Sequence, residues 1–118
     1  MICLERYNAI TSGYLRSANA IIIVYDITDR ASFDEVQNKW LNFIKTNINS
    51  NSYGGLDVRI AIVANKLDLN DDRVVPKKHG VKLSLANNLR FFEASARTGR
   101  NVKELFRSVC DSICDYWY

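Results

Sequence analysis

Apolar positions along the chain alternate between short continuous runs and longer stretches in which they recur every three or four residues. Ala20 to Asp26 (AIIIVYD) and Val58 to Asn65 (VRIAIVAN) are runs rich in β-branched residues, the pattern of strands covered on both faces of a parallel sheet. Arg90 to Ser95 (RFFEAS) is a third, weaker strand. Between the first two, Phe33, Val36, Trp40, Phe43 and Ile44 keep helical spacing, and Ser32 with Glu35 forms a capping box at the start. Pro76 suits the first turn of a second helix running towards Asn88, whose thin apolar face is Val81, Leu85 and Ala86 despite Gly80. The last helix has the fullest stripe, Val102, Leu105, Phe106, Val109, Ile113 and Trp117, with Lys103, Glu104, Arg107, Asp111 and Asp115 opposite. Strands alternating with helices call for an α/β fold, a parallel three-strand sheet with right-handed crossovers and flanking helices. Asn47 to Gly55 (NINSNSYGG) reads as a loop between a helix and a strand, and there is no internal repeat.

Length and composition narrow this picture. A chain of 118 residues holds one domain, 1–118, and 47% hydrophobic with 25% charged residues is the balance of an ordinary globular domain. Sixteen basic against thirteen acidic residues leave +3, scattered along the chain, so charge suggests no nucleic-acid partner. The longest apolar run, Ala20 to Tyr25, is far short of the ~18 residues of a membrane span. Glu5 and Arg6 stand where a signal peptide would need an unbroken apolar stretch. Cys3, Cys110 and Cys114 form no C-x-x-C pair, which suits reduced thiols and a cytoplasmic setting. His79 is the only histidine and builds no metal site with them.

In open α/β sheets ligands bind beyond the carboxyl ends of the strands. After the second run the sequence reads Asn65-Lys66-Leu67-Asp68, and after the third Glu93-Ala94-Ser95-Ala96-Arg97. These resemble the N-K-x-D and E-x-S-A-K guanine-binding motifs of small GTPases, each after its own strand and in family order. On that resemblance the fold is the C-terminal part of a small GTPase domain of the P-loop NTPase class, and the ligand is GTP or GDP. The chemistry is consistent. Guanine carries adjacent N–H donors on its Watson–Crick edge, and a carboxylate such as Asp68 accepts both, whereas adenine lacks that pattern. The resemblance assigns Asn65 to the base and to tying neighbouring loops, the Lys66 stem to the ring and ribose, and the Ala96 N–H to the guanine carbonyl oxygen. Ser95 is either part of this set or a cap for the final helix, and Glu93 either a family position or a solvated strand residue. Arg97 replaces the usual Lys, keeping the charge and altering its reach.

The likeness to the Rab branch covers nearly the whole chain. Glu5-Arg6-Tyr7, Ile10-Thr11-Ser12 and Tyr14-x-Arg16-x-Ala18 resemble its second switch and following helix, and Tyr25-Asp26-Ile27-Thr28-Asp29, Ser32-Phe33-x-x-Val36 and Trp40 continue it. The resemblance implies a role in vesicle traffic, with effectors or regulators meeting residues 5–18. Asp26 and Thr28 read as fixing the turn after their strand. The Asn47 to Gly55 loop is several residues longer than is usual in the branch, an insertion of small entropic consequence.

Other family features have no counterpart. Gly13, Gly54, Gly55, Gly80 and Gly99 form no G-x-x-x-x-G-K-[ST] phosphate loop, and the Mg²⁺-coordinating residues of the family find no match. Alignment to D-T-A-G-Q-E-R-[YF] places Leu4 at the Gln that orients water and Cys3 at the Gly. Hydrolysis by this chain alone is therefore not expected, and no catalytic residue is assigned. Cys114 is fifth from the end, so no C-a-a-X prenylation motif is present; Cys110 and Cys114 read as core packing in the last helix. The alternative class is a non-catalytic Rab-like interaction module, or an incomplete gene product without nucleotide binding. Without the family's first strand, Ile21 to Val24 would present a bare apolar edge, which predicts marginal stability or dimerisation.

Overall fold

The computed structural model describes residues 2–4, 20–47 and 60–117. Four parallel strands stand in the order β1 (Ile2–Leu4), β2 (Ile21–Asp26), β3 (Ile60–Asn65), β4 (Arg90–Glu93). The register is continuous at the centre, where Asp26 lies opposite Asn65, and Ala64 opposite Glu93. The three expected strands are all present. Against expectation, the outer edge of β2 is covered over half its length, because Ile2, Cys3 and Leu4 pair with Ile21, Ile22 and Ile23. A β-branched tripeptide edge offers free backbone groups, and a short apolar segment of the same chain satisfies them.

Side chains alternate across the sheet and create two cores. On one face Ile21, Ile23, Tyr25, Ile60, Ile62 and Ala64 pack beneath Phe33, Val36, Trp40, Leu41 and Ile44. On the other, Ala20, Ile22, Ala61 and Val63 meet Ala94, Leu105 and Val109. Each fully buried aliphatic side chain contributes roughly 1.5–3 kcal/mol.

The first crossover is one irregular helix in three parts: α1 (Arg30–Glu35), a π-helical turn (Val36–Trp40) and α2 (Leu41–Asn47). In the wide turn the Leu41 N–H reaches back to the Val36 carbonyl, and Leu41 is buried beside Trp40 and Val36, a residue that simple helical spacing leaves out. The capping box is not formed. Asp29 is the N-cap, its carboxylate accepting from Ala31 N at 3.0 Å. Ser32 instead accepts from Asp26 N at 2.9 Å and donates to the Asp29 carbonyl at 2.7 Å. Asp29 reaches the first free N–H groups from one residue ahead of the helix, so the hydroxyl is released to tie the helix to the end of β2.

Pro76 is the N-cap of α3 (Lys77–Ala86). Its expected face is wrong in detail: Leu85 is 71% exposed, whereas Gly80 and Ser84 are buried. A Cβ at Gly80 would lie 2.5 Å from the Tyr25 hydroxyl oxygen and would overlap the Phe91 ring, so the helix approaches the sheet through a residue with no side chain. The Ser84 hydroxyl is satisfied within the helix, donating to the Gly80 and Val81 carbonyls at 3.0 and 2.9 Å. Helix α4 (Val102–Trp117) packs through Leu105 and Val109. Cys110 is exposed, not packed in the core as its neighbourhood in the stripe suggested. It follows the stripe residue Val109 by one position, which turns it off the sheet-facing side. The side chains of Ile113, Cys114 and Trp117, the switch-like stretch from Glu5 to Ala18 and most of the long polar loop fall outside what is described. Among the described residues no helix is long and apolar enough to cross a membrane.

Candidate functional site

Parallel strands deliver their carboxyl ends to one rim of the sheet, and the segments leaving β2, β3 and β4 are bonded to one another there. Asn65 ends β3 opposite Asp26, and its carbonyl accepts from Ile27 N at 3.2 Å. Lys66 follows in the left-handed region, φ 69° and ψ 36°, a conformation that non-glycine residues adopt only when their surroundings hold them. The turn it makes opens a 3₁₀ helix, Leu67–Asp72, carrying Asp68 on its exposed first turn.

Three contacts join this loop to the one after β4. Leu67 N donates to the Ala94 carbonyl at 3.1 Å, Ala96 N donates to Asn65 Oδ1 at 3.1 Å, and Ser95 Oγ donates to Asp68 Oδ1 at 2.7 Å. Ser95 is fully buried and also accepts from Thr98 N at 3.1 Å; it braces Asp68 and does not cap α4. The loop closes on itself through Gly99, whose N–H donates to the Ser95 carbonyl at 2.8 Å and whose φ of 82° requires a residue without Cβ strain. Among the described residues only Ser95 bonds the Asp68 carboxylate, which leaves an exposed acceptor oxygen. Ala96 and Arg97 are also exposed. The candidate residues Asn65, Lys66, Asp68, Ser95, Ala96 and Arg97 thus sit in two loops that share a rim.

The third loop enters through Asp26. Its Oδ1 accepts from Thr28 N at 2.8 Å and from the Thr28 hydroxyl at 2.7 Å, and its Oδ2 lies 2.7 Å from Lys66 Nζ. Burial works to raise the pKa of this carboxyl, but the Lys66 ammonium and the Thr28 donors outweigh it and hold the pKa below the ordinary value. The turn-fixing role read for Asp26 and Thr28 is present, and the ion pair with Lys66 adds to it a link that spacing in the sequence does not signal.

A second brace lies beneath. Arg73 Nη1 pairs with Glu93 Oε2 at 2.6 Å and donates to the Val75 carbonyl at 3.2 Å, while its Nε donates to Asn70 Oδ1 at 2.8 Å. Glu93 is therefore an inward, paired strand residue, its side chain 12% exposed. Asn101 Nδ2 donates to its backbone carbonyl at 2.8 Å. Tyr25, nearby and fully buried, has its hydroxyl pKa pushed up by burial and then by the Glu93 carboxylate, with Arg73 opposing.

No group of three or more His, Cys, Asp or Glu side chains that could hold a metal occurs among the described residues. Both Asp26 oxygens are engaged, Oδ1 by Thr28 and Oδ2 by Lys66. A groove of about 270 Å³ lined by Arg30, Phe33, Gln37, His79, Lys82, Leu83 and Ala86 shares no residue with the motif loops.

A sequence profile of the Ras family matches residues 3–115. Mouse Ras-related protein Rab-3D is 41% identical over 111 residues, 94% of this chain and 48% of that protein. Mouse Ras-related protein Rab-12 is 41% identical over 110 residues, 92% of this chain and 42% of that protein. Rat GTP-binding protein Rab-3D is 40% identical over 111 residues, again 94% of this chain and 48% of the relative. The chain spans about half the length of the curated relatives it matches.

Proposed function

The chain belongs to the Ras family, and on that premise we propose that it is Rab-like and that its residues 65–68 and 95–97 form the base-binding end of a GTP or GDP site. The observation that carries this reading is the meeting of two motifs, separated by about thirty residues, at adjacent strand ends through the Asn65–Ala96 and Asp68–Ser95 bonds. Asp68, braced through Oδ1, presents its carboxylate to the paired N–H donors of guanine, and a charge-assisted pair of this kind rejects adenine, which offers no matching donors. The Lys66 stem and the Arg97 guanidinium supply flat flanking surfaces, and the Ala96 N–H exchanges its Asn65 partner for the guanine carbonyl oxygen when a base is bound.

Phosphate and metal contacts are not part of this proposal for residues 1–118. They contain no G-x-x-x-x-G-K-[ST] run, and among the described residues no group of three or more His, Cys, Asp or Glu side chains could hold a metal. A traffic role with effectors or regulators meeting residues 5–18 is the wider proposal, resting on the resemblance of that stretch to the Rab branch.

Titration of GTP and of ATP into the 118-residue chain, followed by the amide shifts of residues 65–68 and 95–97, tests the base site. A base held without its phosphates contributes only a few kcal/mol, so GTP should bind on the order of millimolar and ATP more weakly. Asp68→Asn should remove the preference, since an amide cannot accept both donors. Equal shifts with the two nucleotides would overturn the assignment. Single-turnover assays of the same chain should give no GTP hydrolysis above background; a rate like that of an intact small GTPase would overturn the restriction to the base.

A further inference from the structure

We infer that Asp26 is a positioning residue for nucleotide binding, acting through Lys66; this rests on the base-site reading above. The ion pair is asymmetric. The Asp26 side chain is 8% exposed and the Lys66 side chain 39%, so the acceptor is fixed in the protein while the lysine reaches to it from the rim. Thr28 occupies Oδ1 twice, through its N–H and its hydroxyl, and the Asp26 backbone N–H is itself held by the Ser32 hydroxyl. The carboxylate is therefore held twice through Oδ1, and its backbone once, before Oδ2 meets the ammonium. Register supplies the rest: Asp26 stands directly opposite Asn65, so the residue after Asn65 is the one whose side chain lies within reach.

The Lys66 backbone lies in the left-handed region, and a lysine side chain has four rotatable bonds. If it were free, a base stacking on its methylenes would have to order it at the moment of binding. Anchoring Nζ on a buried carboxylate orders it beforehand and leaves a half-exposed hydrocarbon strip at the rim. A bonded ammonium also keeps its strongly hydrated charge off the face that an aromatic ring would cover.

The test is a double-mutant cycle read in GTP affinity by amide shifts, using the full 118-residue chain, Asp26→Asn, Lys66→Met and the double variant. Asn keeps an oxygen for Thr28 but replaces the charged acceptor that faces Lys66 with an NH₂ donor; Met keeps an unbranched stem and loses the ammonium. Each single variant should bind GTP about five- to tenfold more weakly, and the double variant no more weakly than Lys66→Met alone. Losses that multiply would mean that Asp26 acts through the fold at large, and would overturn the inference. If Asp26→Asn does not fold, Thr28→Val replaces it in the same cycle: its smaller loss should disappear in the Lys66→Met background, and persistence there counts against the inference. A wild-type chain that does not distinguish GTP from ATP would remove the base-site reading and this role together. A wild-type preference for GTP with multiplying losses removes only the role of Asp26.

Discussion

Helices α3 and α4 cover opposite faces of one sheet by opposite means. Helix α4 docks through side chains that are present, Leu105 and Val109, which fill the space over Ala61 and Val63. Helix α3 docks through one that is absent: at Gly80 the backbone comes so near Tyr25 and Phe91 that there is no room for a Cβ. The first kind of contact gains from apolar area, and trimming it leaves a cavity. The second gains from close approach, and enlarging it forces the helix off the sheet.

Substitution separates the two. Gly80→Val should be the most damaging change in the described residues, destabilising by more than about 3 kcal/mol, because Tyr25 and Phe91 cannot both retreat in a packed core. Gly80→Ala should be milder, since higher helix propensity returns about 1 kcal/mol of the overpacking. On the other face, Leu105→Ala should cost about 2–3 kcal/mol, the transfer and cavity terms of one buried leucine. Urea midpoints at constant slope measure all three. A Gly80→Val chain as stable as Leu105→Ala would mean that α3 can slide, and the contrast between the faces would fail.

The same contrast explains what could be read from the sequence. The strands at 21–26 and 60–65 and the Leu105 and Val109 positions of α4 were legible because each is a pattern of side chains that are there, whereas Phe106, read into the same stripe, is 38% exposed. Helix α3 was legible as a helix but not in its orientation: a period built on Val81, Leu85 and Ala86 gives no weight to Gly80, and Leu85 turns out to be mostly in solvent. At the rim, Asn65, Lys66, Asp68, Ser95, Ala96 and Arg97 could be picked out because they resemble two family motifs that follow successive strands, and the two loops that carry them are bonded to each other. What joins them could not. Asp26 and Lys66 are forty residues apart, and Arg73 and Glu93 twenty, and single charges in a chain with 25% charged residues carry no sign of their partners.

Titration sharpens the comparison from the α3 side, because Tyr25 lies beneath Gly80. Burial, and then Glu93, raise the pKa of its hydroxyl above the ordinary 10.0. In the unfolded chain the group ionises near its ordinary value while the folded chain still holds the proton. Stability should therefore be intact below pH 10 and fall above it, by up to about 1.4 kcal/mol per pH unit for one group. No described residue bonds this hydroxyl, so Tyr25→Phe should abolish the alkaline slope at little cost near neutrality. Asp26 gives the mirror image: its pKa is lowered in the fold, so its contribution is whole above its ordinary 3.8 and is lost as pH falls below it. Asp26→Asn should flatten that acid arm alone. Melts across pH 3 to 11 separate the two arms, and an alkaline slope that survives in Tyr25→Phe would assign it to another group.

The smallest effect is expected where the sequence pattern points most strongly to α3 packing. Leu85 belongs to the apolar period of that helix, yet at 71% exposure it has little area to lose. Leu85→Glu places a carboxylate one turn from Lys82, which favours it by a few tenths of a kcal/mol, and near the helix C-terminus, where the dipole disfavours it by a similar amount. The two offset, and the change in stability should stay within about 0.5 kcal/mol. Ser84→Leu, one residue earlier, would press a larger side chain into a buried position that now holds only a hydroxyl bonded within its own helix, and should destabilise by about 1–3 kcal/mol. Urea melts of the pair decide which face is inward. A loss above 1 kcal/mol for Leu85→Glu with none for Ser84→Leu would turn the helix over and restore the face that periodicity alone suggests.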